Sequence, residues 1–302
     1  MAGDLLKGTV AVVTGAGRGI GRATALMMAS QGASVVVNDI GASLDGNNKE
    51  GTPAQEVVDT IKKAGGNAVA NYESVTSWDG GRRIVQCALD SFGRIDAVVN
   101  NAGILRDGMF HKMTPEDFDA VVKVHLYGVF YVSRAAVEHF RKQESGALVH
   151  VTSTSGFLGN VGQANYAAAK NAMLGFSQTL ALELGRYNVR SNCLAPGAWT
   201  RMTDSVPGRS VEEKKKREAA LPPESPAVLA TVLASDVAKG VNGQLLGARG
   251  NEIILYSLTR PIRFLNKRSG WTPEDLAAAL PKFQPVFVPV ASGKEISPWT
   301  PD

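Results

Sequence analysis

Three side chains of complementary chemistry stand in the short stretch from Val151 to Lys170: Ser153, Tyr166 and Lys170. If Tyr166 opens a helix, Lys170 follows one turn later, about 6 Å along the axis and on the same face. An ammonium there favours a phenolate and lowers a pKa that is ordinarily about 10, which makes the tyrosine a usable general acid/base. Ser153 adds a group that can hold a carbonyl or hydroxyl oxygen. The chemistry is proton transfer at a carbon-bound oxygen, which accomplishes little unless a hydride moves at the adjacent carbon. A hydride requires a cofactor. Tyrosine and lysine at this spacing also occur on any helix with one buried aromatic and one solvated lysine, so the rest of the chain must supply the context.

That context begins at the N-terminus. An apolar run from Val10 to Val13 leads into glycines at 15, 17, 19 and 21, and a helical stretch follows from about Ile20 to Ser30. The pattern is strand, tight turn, helix. Glycines let the backbone approach a pyrophosphate closely, and the helix start offers its unpaired N–H groups to the anion. The spacing is Gly15-x-x-x-Gly19-x-Gly21 rather than the common G-x-G-x-x-G. A second apolar run, from Ser34, ends in Asp39, where a dinucleotide fold presents a carboxylate to the adenosine ribose. Such a carboxylate accepts from both ribose hydroxyls and repels a 2′-phosphate, so NAD is expected over NADP. Arg18 is placed either to tolerate that phosphate or to face the pyrophosphate.

The elements that must position these groups alternate. Apolar runs near 10–14, 34–39, 68–72, 95–100, 147–152, 189–194 and 252–256 are separated mostly by segments of helical length. This predicts an α/β fold: one doubly wound, Rossmann-type domain with a seven-stranded parallel sheet over residues 1–256, and a C-terminal extension over 257–302. Thr114-Pro-Glu-Asp117 and Thr272-Pro-Glu-Asp275 are matching helix starts, each with a threonine cap, proline at the first position and acids in the positive first turn. The first opens a long helix that includes His125, and the Val129–Phe140 stretch after it carries a broad apolar face. The second opens a short helix, Leu276–Leu280, before Pro281, Pro285, Pro289 and Pro298, which predict an extended strap.

Composition excludes several classes. The net charge of +4 over 302 residues needs no nucleic acid to explain it. Cys87 and Cys193 lie far apart and form no metal-type spacing, which suits a reducing compartment. No signal-peptide pattern opens the chain, no apolar run approaches a membrane span, and Trp299 to Asp302 is not a peroxisomal address, so a cytoplasmic protein is expected.

With these pieces in place the chain resembles the short-chain dehydrogenase/reductase family over about its first 255 residues. The matching marks are Thr14-Gly-x-x-x-Gly-x-Gly21, Asn100-Asn-Ala-Gly103, the Ser153/Tyr166/Lys170 set and Pro196-Gly197. Within the family it is most similar to the (3R)-hydroxyacyl-CoA dehydrogenase units of type 2 peroxisomal multifunctional enzymes and their bacterial stand-alone relatives. Val37-Asn-Asp39 with an insertion at about 41–52, Asn100 to Asp107, Val124-His-Leu126 and Gly159 to Tyr166 carry that closer match. The resemblance implies that Tyr166 is the general acid/base, that Lys170 holds the nicotinamide ribose and lowers the tyrosine pKa, and that Ser153 positions the substrate oxygen. It implies further that Asn101, Ala102 and Gly103 line the cofactor path, that Ser74 and Val75 flank adenine, and that Pro196, Gly197 and Ala198 meet the carboxamide. It also implies a substrate lid over about 198–225 and a homodimer or homotetramer.

Two positions depart from the family pattern. His125 stands where most members have an asparagine in a proton relay, and Arg201 stands where a threonine is expected, with Thr200 as its substitute. The run Glu212 to Glu218 reads either as a solvated helix face or as part of the lid, with Lys214 to Arg217 meeting coenzyme A phosphates. The leading expectation is an NAD-dependent dehydrogenase acting at C3 of an acyl thioester. The alternatives are a dehydrogenase of hydroxysteroids or other bulky alcohols, which Phe157, Leu158, Val161 and Trp199 near the mouth would also suit, and, from a different class, a nucleotide-binding regulator without catalysis. An acyl-carrier-protein reductase would favour NADPH, against Asp39.

Overall fold

The computed structural model describes residues 3–47, 51–204, 210–288 and 290. Its elements in chain order are β1 (Val10–Thr14), α1 (Gly19–Ser30), β2 (Ser34–Asn38), α2 (Pro53–Lys63), β3 (Asn67–Asn71), α3 (Trp78–Phe92), β4 (Ala97–Asn100), α4 (Pro115–Val122), α5 (Gly128–Gln143) and β5 (Gly146–Val151). There follow α6 (Thr154–Leu158), α7 (Ala164–Leu184), β6 (Val189–Gly197), α8 (Arg201–Asp204), α9 (Val211–Ala220), α10 (Glu224–Ala234), β7 (Leu245–Arg249), β8 (Glu252–Leu255) and α11 (Pro273–Ala279).

The continuous apolar reading of β1 has a direct cause. Ala11 and Val13 enter one buried cluster while Val10 and Val12 enter another, because both faces of the sheet are covered. α1, α2 and α10 cover the first face, and α3, α5 and α7 the second. The strand order is β3-β2-β1-β4-β5-β6-β7-β8. Chain direction therefore reverses its walk across the sheet between β1 and β4, and a crevice opens at their carboxyl ends, the usual ligand site of an open α/β sheet.

The α/β class is as expected, but the sheet has eight strands rather than seven. The 252–256 run, expected as the seventh parallel strand, is the antiparallel eighth. The seventh parallel strand is Leu245–Arg249, whose Gly247 and Arg249 interrupt its apolar pattern. Gly247 is needed there because a Cβ would lie 2.9 Å from the Tyr256 ring. Only Gly250 and Asn251 separate β7 from β8, too short for a crossover, so the pair must be antiparallel.

Both helix starts form as read: Thr114 accepts from the Asp117 N–H and Thr272 from that of Asp275. α4 and α5 join through a π turn, Lys123–Tyr127, into a 29-residue helical run, Pro115–Gln143. By length and composition that run is long and apolar enough to cross a membrane; in this fold its Val132, Ala136 and Phe140 enter the buried cluster on the second face of the sheet. Of the broad apolar face read at Val129–Phe140, Val129, Val132, Ala136 and Phe140 are buried within the chain. What faces outward is aromatic, with Tyr127 and Phe130 exposed beside Trp78.

In the extension, Leu280–Val286 is a 3₁₀ run that holds Pro281 and Pro285, so this part is not the expected extended strap. Pro289, Pro298 and the chain end lie outside the described residues, as do part of the 41–52 insertion and residues 205–209 of the expected lid.

Candidate active site

The glycine turn is locked to the end of β4. Thr14 Oγ1 accepts from the N–H groups of Asn101 and Ala102 at 3.0 and 3.1 Å, and Asn101 Nδ2 donates to the carbonyls of Thr14 and Gly15 at 3.0 Å each. Gly15 and Gly19 adopt φ of +61° and +53°. Gly21 serves the turn from behind: a Cβ there would lie 2.2 Å from the Gly15 carbonyl oxygen. No side chain caps α1, which leaves its first-turn N–H groups for an anion.

At the end of β2, Asp39 points back at this turn. Its carboxylate accepts from Gly17 N–H at 2.9 Å and Gly41 N–H at 2.7 Å. Asn38 donates to Asn71 Oδ1 and to the Glu73 carbonyl, both at 2.8 Å, and so draws the exit of β3, with Ser74 and Val75, to the same crevice.

A cavity of about 430 Å³ results. Gly15, Arg18, Gly19, Ile20, Asp39, Ser74, Val75, Asn101, Ala102 and Gly103 all line it. Gly21, Tyr166, Lys170, Pro196, Gly197 and Ala198 do not, although Thr200 and Arg201 do. Thr200 stands close to the turn, 3.4 Å from where a Cβ on Gly19 would be. Thr203, rather than Arg201, shapes this bend, accepting from the Thr200 N–H at 2.8 Å. The sequence reading assigned no site role to Ala42, Ser43, Leu44, Gly46 and Arg106, which also line the cavity. A glycine cradle, an uncapped helix start and a fixed carboxylate together fit a dinucleotide.

Ser153 caps α6, accepting from the Ser155 N–H at 3.2 Å, and stands near enough to the Tyr166 phenol to favour its phenolate. Tyr166 lies in the first turn of α7 and Lys170 one turn on, its ammonium 5.6 Å from the tyrosine ring centre. Lys170 Nζ donates to the Val151 carbonyl at 2.6 Å and is buried. The expectation that the lysine holds the phenol below its ordinary value is reversed in this structure. Burial pushes Tyr166 up to about 12, the Ser153 hydroxyl opposing and the Asp107 carboxylate assisting. Burial likewise takes Lys170 down to about 7. Desolvation disfavours the charged form of each group.

His125, on the π turn, is buried with its ring edge-to-face on Tyr166, centres 5.1 Å apart. Its Nε2 lies 2.8 Å from the Ile104 carbonyl oxygen. Among the described residues, Nδ1 has no partner. Burial and the Lys170 charge hold His125 well below the usual imidazole range, so the ring is neutral at physiological pH. Gly103 makes room for it, since a Cβ there would lie 2.3 Å from the imidazole Cε1. Beside Tyr166, Gln163 Nε2 donates to Asp107 at 2.7 Å.

The expected lid is described only in part. Trp199 N–H donates to the Leu221 carbonyl at 2.7 Å, tying the end of α9 to the exit of β6. Of the cations expected to meet coenzyme A, Lys214 pairs with Asp204 at 2.8 Å and Lys216 with Glu212 at 3.4 Å.

Comparison with known proteins agrees with this geometry. The short chain dehydrogenase family matches residues 9–210. The peroxisomal multifunctional enzyme type 2 of Mus musculus is 49% identical over 215 residues, 71% of this chain but only 29% of that much longer protein. The hydroxyacyl-CoA dehydrogenase ChsB1 of Mycobacterium tuberculosis is 39% identical over 287 residues, covering 91% of this chain and 88% of its own. A crystal structure of a short chain dehydrogenase from Mycobacterium avium superposes with a TM-score of 0.84 at 38% identity, over 95% of this chain and 98% of that one. With the family matched over residues 9–210 and a relative 39% identical along nearly the whole chain, the chain belongs to the short-chain dehydrogenase family.

Proposed function

We propose that this oxidoreductase uses NAD to interconvert a (3R)-3-hydroxyacyl-CoA and the 3-oxoacyl-CoA. The observation that carries the chemistry is Tyr166 with Ser153 beside its phenol and Lys170 one turn on, its ammonium 5.6 Å from the ring centre. The acyl-CoA class is supported by similarity to a hydroxyacyl-CoA dehydrogenase along nearly the whole chain, extension included. NAD is supported by Asp39, whose carboxylate is held at the crevice by two backbone N–H groups.

A bound nicotinamide supplies the hydride acceptor. The chain's own part is to hold the substrate oxygen and move its proton. Ser153 donates to that oxygen, and Tyr166 takes the hydroxyl proton on oxidation or gives it back on reduction. Lys170 Nζ stands over the tyrosine ring, 5.6 Å from its centre. A homo-oligomer and a cytoplasmic location belong to the same proposal. The outward aromatic patch of Tyr127, Phe130 and Trp78 supports the first, and the free Cys87 and Cys193 support the second.

The test is kcat/KM for NAD-linked oxidation across 3-hydroxyacyl-CoA, hydroxysteroid and simple secondary alcohol substrates, with Tyr166→Phe alongside. The reading requires 3-hydroxyacyl-CoA to lead the panel and Tyr166→Phe to lose roughly 10²- to 10⁴-fold in kcat. A steroid leading the panel would replace the substrate, and a parent without turnover would replace the enzyme by a binding protein.

A further inference from the structure

We propose that Arg106 is a positioning residue that joins the wall of the nucleotide cavity to the start of the catalytic helix. Dinucleotide affinity and the placement of Tyr166 then depend on one side chain. The inference rests on the dinucleotide reading of the crevice and adds a coupling to it.

The wall in question is the turn from Ser43 to Asn47, of which Ser43, Leu44 and Gly46 line the cavity. It is built around the Asp45 carboxylate, which accepts from Ser43 Oγ at 2.5 Å, Asn47 N–H at 3.1 Å and Asn47 Nδ2 at 2.6 Å. Gly46 adopts φ +82°, a conformation that glycine takes at little cost. The turn has no place in a helix or in the sheet proper, so its position depends on what it is fastened to. One fastening is the backbone bond from Leu105 N–H to the Leu44 carbonyl, 3.0 Å.

A second is the Arg106 guanidinium. Nε donates to the Asp45 carbonyl at 3.1 Å, and Nη2 to Asn47 Oδ1 at 2.7 Å. Nη1 reaches away from the turn, to Asp117 Oδ1 in the first turn of α4, at 3.3 Å. The side chain is 21% exposed, enclosed enough for these charge-assisted bonds to be fixed in geometry. Only a planar fork can meet three acceptors lying in three directions, and a lysine ammonium at the same place cannot.

The backbone of the same residue serves the catalytic helix. Asn165, fully buried, donates through Nδ2 to the Arg106 carbonyl at 2.8 Å and to the Asp117 carbonyl at 3.4 Å, and its Oδ1 accepts from Tyr166 N–H at 2.8 Å. Residue 106 therefore holds the cavity wall with its side chain and the neighbour of Tyr166 with its carbonyl. Asp117 is bonded to both, so a shift of the guanidinium is felt at α4 and at the first turn of α7. This role cannot be read from the neighbouring residues, because its partners are brought together from three other segments.

The experiment compares wild type with Arg106→Met, Arg106→Lys and Asn47→Ala. It reads the NADH Kd by fluorescence titration, and kcat per active site for the best substrate of the panel. Arg106→Met is expected to weaken NADH roughly tenfold and to lower kcat by a similar factor, and Arg106→Lys to recover less than half of either on a logarithmic scale. Asn47→Ala, which removes the Nη2 arm on the turn together with the turn's own Asn47 Nδ2–Asp45 bond, is expected to weaken NADH about threefold with kcat within about twofold. A merely structural arginine would reduce the melting temperature and the active fraction and leave Kd and kcat of the surviving sites unchanged, which overturns the proposal. If Arg106→Met does not fold, an unchanged Kd in Asn47→Ala overturns it alone. A wild type that binds no dinucleotide removes the underlying reading as well, whereas a wild type that binds normally beside unaffected variants removes only this inference.

Discussion

Lys170→Met should make the protein more stable while removing its activity. In the folded state burial brings the ammonium down to about 7 from its ordinary 10.5. At about 1.4 kcal/mol per unit, forcing this charge into the site costs up to about 5 kcal/mol at or below pH 7. Methionine fills a similar volume without the charge. It gives up the hydrogen bond to the Val151 carbonyl and leaves that oxygen unpaired, a loss of about 2 kcal/mol, so the net gain should be about 2–3 kcal/mol. For a chain of this size that is a rise in Tm of roughly 4–8 °C.

The pH dependence is the more discriminating readout. Between about 7 and 10.5 the unfolded lysine binds more protons than the folded one, so wild-type stability rises with pH relative to the variant. The advantage of Lys170→Met should be largest at pH 6–7, vanish near pH 9, and reverse to a deficit of about 1.5–2 kcal/mol near pH 10.5. Calorimetric melting of both proteins at equal concentration across this range is the assay. A variant no more stable than wild type at pH 7, with a difference that does not move with pH, refutes the reasoning: the lysine would then be well solvated or well paired. A gain that follows the stated slope, with turnover lost, identifies a functional site that is maintained at the expense of stability.

Three further outcomes follow from the same geometry. Asp39→Asn removes the negative charge at the adenosine end, and the ratio of kcat/KM for NADP to that for NAD should rise roughly tenfold or more; an unchanged ratio sinks the role assigned to this carboxylate. Asp107→Asn keeps an acceptor for Gln163 but removes a charge that raises Tyr166, so the limb of the pH–rate profile that reports the phenol should move to lower pH, whereas an unmoved limb would separate Asp107 from the catalytic tyrosine. Gly103→Ala forces a methyl group to within 2.3 Å of the His125 ring and should cost about 1–3 kcal/mol in urea denaturation, most of it recovered in the double variant with His125→Ala.

What the amino-acid sequence determined by itself is what local spacing can carry. Tyr166 and Lys170 share a helix face because the helical repeat puts them there. The run from Val10 through Gly21 specifies strand, turn and helix because β1 is buried on both faces and the turn requires glycine. Thr114 and Thr272 mark helix starts because a cap acts within one turn. The tertiary structure decided what depends on partners distant in sequence. Burial from several elements sets the direction of both pKa shifts, and no spacing along α7 reveals that desolvation. Gly103 looks like a turn glycine until the His125 ring is laid against it, and β7 looks like a loop because its glycine answers to Tyr256 rather than to its own neighbours. The role of Arg106 was invisible in the sequence for the same reason: it lies in three acceptors on two other segments, and only the folded chain brings them within reach of one guanidinium.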